Sequence, residues 1–359
     1  MTKKLIIVWL SMTVLIFSTV VAHADTTVQG KFLNRNIYIN GKQIDNFYLE
    51  DPLFIHKGVT YFPLSATMQE LLGFRPEINQ ESRTIQLVKT APTRTALGHK
   101  MLKSNLGNPT VLALDRYLVT ARVGNTGGNR TNSLPGLQGF ASVPIDISPY
   151  QVLKKNKVFY LPLRAMTTDP GFRWSLHYDD YSGVYISTNP GTPAKTYFDK
   201  KESQYNKGLA NYIRHRNNSV TAGNALNLVF LFKHEGKVYD VDETLLMAMA
   251  EKESTFRVNC VAKGDAIGLM QILSRTAAAH GVSRNQLFDP HINIQFGAKY
   301  LSERMKKYGV TSTALSAYNK GSVPVNRGTA YTTRYSNRII KAEDALTGYL
   351  VKNGYGLGK

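Results

Sequence analysis

The residues best suited to chemistry lie late in the chain, between Leu245 and Gln271. Thr244 to Glu253 are mostly strong helix formers, and Asp240 or Asp242 can cap the helix they predict. Leu246, Met249, Ala250 and Glu253 fall at i, i+3, i+4 and i+7, so Glu253 closes the apolar stripe. A carboxyl on a core-facing stripe loses hydration, which raises its pKa. Protonated beside a cleft, it can serve as a general acid. Glu251 sits off the stripe and is expected in solvent. The bland alternative for Glu253 is a capped or paired glutamate near a helix end, with no chemistry. Downstream come a tight, backbone-exposing stretch, Gly268-Leu269-Met270-Gln271, then Ala317-Tyr318-Asn319, and later Tyr335.

Glu253-Ser254, Gly268-Leu269-Met270-Gln271, Ala317-Tyr318-Asn319 and Tyr335 resemble, in order and spacing, the motifs of the soluble lytic transglycosylase family (SLT-type, goose-lysozyme-like, glycoside hydrolase family 23). Asp289-Pro290, Asn293-Ile294, Gly297 and Tyr300-Leu301 between them look similar to the same pattern. The resemblance runs from Val238 to Leu346, under a third of the chain. It implies a peptidoglycan lytic transglycosylase with a lysozyme-like α domain. Most glycosidases use two carboxylates; the resemblance implies that Glu253 alone is acid and then base. The bond cut would be the β-1,4 link from N-acetylmuramic acid to N-acetylglucosamine, and the product a 1,6-anhydro sugar made without water.

The resemblance also assigns supporting roles. Ser254 would support the acid or the substrate acetamido group. Met270 and Gln271 would line the sugar cleft, Tyr318 and Asn319 would lie under the substrate, and Tyr335 would hydrogen-bond Glu253. Read without the family, each is as compatible with packing or a surface hydrogen bond. The chain departs from the family pattern at Ala262-Lys263-Gly264-Asp265 and at Lys320-Gly321-Ser322-Val323-Pro324. Were Asp265 to face the cleft, it could activate water and make the enzyme a hydrolytic muramidase. A non-catalytic wall-binding scaffold is the alternative from another class. No metal or organic cofactor is expected. Cys260, the one cysteine, cannot form an internal disulfide and lacks the His and Asn context of a thiol nucleophile.

These residues must be positioned by a chain of 359 residues, long enough for two or three domains. With 44 Lys+Arg against 25 Asp+Glu, its net charge of +19 suits polyanions. The basic residues are dispersed and form no nucleic-acid motif, so the expected partners are peptidoglycan glycan strands and anionic cell-wall polymers, not nucleic acid. Met1 to Ala24 reads as a signal peptide: Lys3-Lys4, an apolar core from Leu5 to Val21, and Ala22-His23-Ala24 as cleavage site. A secreted, wall-associated protein without a stable membrane anchor is therefore expected.

The expected architecture is multidomain: two small α/β (α+β) modules followed by a mainly α domain. Residues 25–90 and 91–188 form the modules, 189–207 a linker, and 208–359 the helical domain. The modules repeat one plan. Val158-Phe159-Tyr160-Leu161-Pro162-Leu163 matches Val59-Thr60-Tyr61-Phe62-Pro63-Leu64, and Gly171-Phe172-Arg173 matches Gly73-Phe74-Arg75. A hairpin is expected at Asn40-Gly41, and a turn at Lys57-Gly58. Pro63 is expected to start a short helix with Met68, Leu71 and Leu72 on one face and Gly73 at its end. This plan resembles the copper amine oxidase N-terminal-like domain, a non-catalytic module. His56, His99 and His177 stand apart, with no His-x-His pair for copper.

Overall fold

The computed structural model describes residues 26–33, 35–94, 110–114, 117–124, 140–168, 172–262, 264–328 and 331–357. The expected signal peptide, His99, Gly171, Lys263 and most of the loop after Gly124 lie outside the described residues. A sheet-rich half comes first and a helical half follows.

The sheet-rich half is built from β1 (Thr26–Gln29), β2 (Lys31–Phe32), β3 (Ile37–Ile39), β4 (Lys42–Ile44), β5 (Phe54–His56), β6 (Val59–Pro63), α1 (Ala66–Leu72), β7 (Phe74–Asn79) and β8 (Thr84–Lys89). Its second repeat supplies β9 (Thr110–Leu114), β10 (Leu118–Gly124), β11 (Phe140–Pro144), β12 (Val152–Lys155), β13 (Val158–Pro162), β14 (Ser175–Asp179) and β15 (Gly183–Ser187). The turns follow their chemistry. Asn40-Gly41 and Lys57-Gly58 both take positive φ, as tight hairpin turns require. Gly73 caps α1 in the left-handed region at φ 73°. Helix α1 begins at Ala66 after Ser65, not at Pro63, which ends β6. In the second repeat a 3-10 turn, Leu163–Thr167, replaces α1.

The two repeats do not fold as two separate modules. Their matching strands β6 and β13 pair antiparallel, Leu161 opposite Phe62, at the centre of a seven-stranded sheet ordered β1-β9-β12-β13-β6-β5-β2. Each closing hairpin then joins the opening hairpin of the other repeat. β8 runs parallel to β10, and β15 runs parallel to β3. One core results, in which Ile37, Phe62, Phe74 and Ile85 of the first repeat pack with Val119, Leu161, Trp174 and Ile186 of the second. The reason is burial: a single repeat has too few apolar residues to cover both its sheet and its hairpin, so each borrows the other's.

The segment expected as a linker is also ordered. It holds a 3-10 turn at Ala194–Tyr197 and then α2 (Lys200–Arg216), capped by Asp199. After it come α3 (Ala222–Tyr239), α4 (Glu243–Ser254), a three-stranded sheet of β16 (Val261–Ala262), β17 (Ala266–Ile267) and β18 (Ile272–Leu273), then α5 (Ser274–Ala278), α6 (Pro290–Tyr308), α7 (Thr311–Lys320), α8 (Ser322–Asn326) and α9 (Arg334–Lys352). Helix α3 is closed by a left-handed Asp240, which leaves Asp242 as the cap of α4. The two halves are bolted together. Phe32 joins the helical core, Arg35 donates to Asn227 Oδ1 at 2.8 Å, and Tyr38 donates to the Glu202 carboxylate at 3.1 Å. Among the described residues, no helix is long and apolar enough to cross a membrane.

Interleaving has a direct test. Residues 25–90 expressed alone are expected to stay unfolded, with flat thermal melts and poorly dispersed amide NMR signals. A fragment of residues 25–199 is expected to melt cooperatively.

Candidate active site

Helix α4 sets the site. Asp242 Oδ1 accepts from Thr244 N at 3.0 Å and holds its N-terminus. From Thr244 to Glu251 every residue is buried, because α4 is packed between α3 and α9. This corrects the expectation for Glu251. It is 4% exposed, and its carboxylate accepts from Tyr212 Oη at 2.6 Å, Arg216 at 2.9 Å and Lys252 at 2.7 Å. A helix buried all round carries no polar stripe, so spacing alone could not place it. Burial pushes the Glu251 carboxyl up, but Lys252, Tyr212 and Arg216 outweigh it and hold it below the usual carboxylate range.

Glu253, one turn-half further on, has the opposite environment. Its carboxyl opens on a cleft of ≈ 460 Å³ and is the one carboxylate lining that cleft among the described residues. Burial raises its pKa, and the Tyr335 hydrogen bond and the Arg338 charge offset this only in part. Tyr335 Oη donates to Glu253 Oε1 at 2.6 Å, which leaves Oε2 to carry a proton. Burial and the neighbouring Glu253 charge hold the Tyr318 and Tyr335 hydroxyls well above their ordinary pKa, so both remain donors. Two glutamates two residues apart thus titrate in opposite directions, one kept ionised and one favoured protonated.

The chain turns sharply after the acid. Thr255 and Phe256 both take left-handed backbone, at φ 52° and 57°. A β-branched threonine there costs on the order of 1–3 kcal/mol and is held by its surroundings. Asn217 Nδ2 donates to the Thr255 carbonyl at 2.7 Å, and Phe256 is buried against Phe232. Across the cleft, the Gly268 to Gln271 turn is pinned by Asn293 of α6. Asn293 Oδ1 accepts from Met270 N at 2.8 Å, and Nδ2 donates to the Ile267 and Leu287 carbonyls, each at 2.9 Å. Gly268 sits at φ 77°, where a Cβ would strike the Asn293 amide and come 2.7 Å from the Leu287 carbonyl.

Of the expected site residues, Glu253, Gln271, Tyr318 and Asn319 line one cleft, and Tyr335 reaches Glu253 from behind. Gln271 Nε2 donates to the Gly268 carbonyl at 3.0 Å and to that of Cys260 at 3.3 Å. Tyr318 Oη donates to the Met270 carbonyl at 3.1 Å. Ser254 and Met270 stand elsewhere than the resemblance implies. Ser254 is 1% exposed and returns its hydroxyl to the Ala250 carbonyl at 3.0 Å. Met270 is fully buried against Gly297, whose absent Cβ leaves the room. Asp265 faces outward and is held by Arg284, with Nε at 3.0 Å and 3.1 Å from its two oxygens. That contact, with Ser274, keeps it ionised below the usual range.

Sequence reasoning did not single out Arg275, Thr276, Phe296, Tyr300 and Lys320 as lining residues. Phe296 and Tyr300 lie one turn apart on α6 with rings stacked at 6.0 Å, and Tyr300 meets the Tyr318 ring edge-on at 5.4 Å. Their i, i+4 spacing was visible, but it reads equally as core.

Residues 230–340 match the family model of the transglycosylase SLT domain. The X polypeptide of Escherichia coli is 36% identical over 118 residues, 31% of this chain and 70% of the relative. The transglycosylase of Enterobacteria phage PRD1 is 34% identical over 110 residues, 31% of this chain and 40% of that protein. The membrane-bound lytic murein transglycosylase C of Photorhabdus laumondii is 36% identical over 119 residues, 28% of this chain and 33% of that protein. The chain thus spans most of the first relative and less than half of the other two. The family match lies wholly in the helical half.

The Glu253 environment makes a stability prediction. With its folded pKa raised above the unfolded value, the folded state binds the proton more tightly. Stability is therefore lost as pH rises from the ordinary carboxylate pKa through the raised folded one. Glu253→Gln is expected to raise Tm at pH 7 and to leave it unchanged at pH 3. Equal effects at both pH values would contradict the assignment.

Proposed function

The chain belongs to the transglycosylase SLT domain family and is a peptidoglycan lytic transglycosylase, and we propose that Glu253 runs its reaction as a single acid and base. The observation that carries this is a half-buried carboxyl, the one carboxylate lining the cleft among the described residues, pushed toward its protonated form and hydrogen-bonded through Oε1 to Tyr335.

The proton on Glu253 goes to the oxygen of the bond between N-acetylmuramic acid and N-acetylglucosamine, and that bond breaks. Positive charge develops at C1 of the muramic residue, where the sugar's own acetamido oxygen stabilises it. The muramic 6-hydroxyl then attacks C1 and returns its proton to the Glu253 carboxylate. The product is a 1,6-anhydro sugar, and no water is consumed. Tyr335 serves both halves: its hydroxyl steadies the carboxylate after proton loss and keeps Oε2 as the proton carrier. Gln271, Tyr318 and Asn319 hold the glycan against the acid. An inverting muramidase needs a second carboxylate to activate water. Asp265, the candidate, is engaged by Arg284 away from the cleft, which disfavours that inverting route.

The remaining assignments follow from charge and order. We read the sheet-rich half as a wall-binding unit of the copper amine oxidase N-terminal-like type and the protein as exported. A net charge of +19 draws it to anionic wall polymers, an attraction that weakens with salt.

Mass spectrometry of digested peptidoglycan tests the reaction. Products lighter than hydrolysed muropeptides by one water are expected, and Glu253→Gln is expected to lower their rate by about 10²- to 10⁴-fold. Products with a reducing muramic end would place the enzyme among hydrolases. Tyr335→Phe removes a hydrogen bond that favours the ionised carboxyl, so the alkaline limb of the kcat/KM profile is expected to move to higher pH. A limb that stays in place would remove Tyr335 from control of the acid.

A further inference from the structure

A second cluster of ionisable side chains lies where the two halves meet, outside the cleft just described. His234 and Glu235 come from α3, His291 from the first turn of α6, and Asp45 from the loop after β4. His234, Glu235 and His291 are 3%, 0% and 4% exposed. No His-x-His pair in the sequence signals them; packing of α3 on α6 brings them together.

The atoms converge in a specific way. His291 Nε2 is hydrogen-bonded to Glu235 Oε1 at 2.6 Å, and His234 Nε2 lies 3.7 Å from the same oxygen, so a bound ion would take the place of the proton that His291 and Glu235 share. The three ligand atoms lie within 4.8 Å of one another. Two donors each about 2.0 Å from a tetrahedral zinc stand about 3.3 Å apart, and the two nitrogen–oxygen distances bracket that spacing. The other nitrogen of His234, Nδ1, lies 3.4 Å from Asp45 Oδ1. An imidazole whose far nitrogen faces a carboxylate is the arrangement that fixes a metal-binding histidine's tautomer and ring orientation. The His234 and His291 rings stand at 80° with centroids 5.9 Å apart, so their Nε2 atoms approach one point from different directions. Two imidazoles and a carboxylate suit zinc and similar divalent transition ions.

The cluster borders solvent at His234. His234 also lines a cleft of ≈ 300 Å³ between the halves, with Asn36 and Gln43 on one side and Gly236 and Glu243 on the other. Of the three ligands His234 is the one at that cleft, so an ion would enter past its ring to reach Glu235 and His291.

We propose that His234, Glu235 and His291 form a zinc-type divalent metal site that ties α3 to α6 within the helical half, with Asp45 of the sheet-rich half orienting His234. Asp45 is a positioning residue: it acts on the metal through His234.

The test uses the intact chain, dialysed against zinc and then against metal-free buffer. Elemental analysis is expected to find one zinc per chain, and a chelator is expected to lower Tm reversibly. Cobalt in place of zinc is expected to give the visible absorption of a tetrahedral nitrogen–oxygen site, a readout that needs no variant. His291→Asn is expected to abolish retention. Asp45→Asn, at a more exposed position, is expected to weaken zinc binding by about 10- to 100-fold while the apo protein still folds. Absence of retained zinc, together with a Tm indifferent to chelator, would overturn the proposal. So would zinc retained undiminished by His291→Asn, since the ion would then sit on other histidines.

Discussion

The helical half depends on one constraint: a carboxyl must be taken out of water without being given a cation to pair with. Glu251 and Glu253 show the two outcomes on one helix. Glu251 is surrounded by Tyr212, Arg216 and Lys252 and is an ordinary buried ion pair. Glu253 meets a neutral hydroxyl from Tyr335, with Arg338 near enough only to moderate the shift. Everything around Glu253 keeps that difference. Helix α9 packs along α4 and brings Tyr335 in, while a capping box of Thr333 and Ser336 starts α9 at the place that makes the contact possible. The strained Thr255-Phe256 turn ends α4 just past the acid, so its carboxyl stands at a cleft and not in a helix interior.

Much of this was legible because it is local. Asn40-Gly41, Lys57-Gly58, the Gly73 cap and the Asp242 cap are written in single residues with one strong backbone preference. Gly268 was legible as a turn, though only the structure shows that the Asn293 amide demands it. What sequence could not convey was side-chain direction within a buried element. On α4 the period of apolar residues says nothing about which glutamate is solvated, because no face is. Ser254 and Met270 sit in the right stretches yet turn their side chains to backbone and core. Asp265 needed a partner from a distant loop, Arg284, to settle which way it points.

The interleaved repeats were hidden for a different reason. The internal match between Val59 to Leu64 and Val158 to Leu163 was plain. A repeat, however, reports similarity of parts, not which part pairs with which. Exchange of hairpins leaves every local pattern unchanged, since β8 finds an equivalent partner in either copy. The exchange buries apolar residues of both repeats in one continuous core and makes the sheet-rich half a single rigid body. Contacts from Phe32, Arg35 and Tyr38 then carry that rigidity to the helices.

That exchange also governs how the protein can be made. Strand β3 has no parallel neighbour until β15 arrives, and Asn40 hydrogen-bonds the Thr188 backbone across 148 positions of chain. Closing such a distance is entropically slow, and high contact order slows folding. A chain emerging from its N-terminus therefore spends its synthesis with β3 and β4 waiting, their edges open to other chains. The half that leaves the ribosome first is thus the half that cannot complete its sheets until Thr188 has emerged.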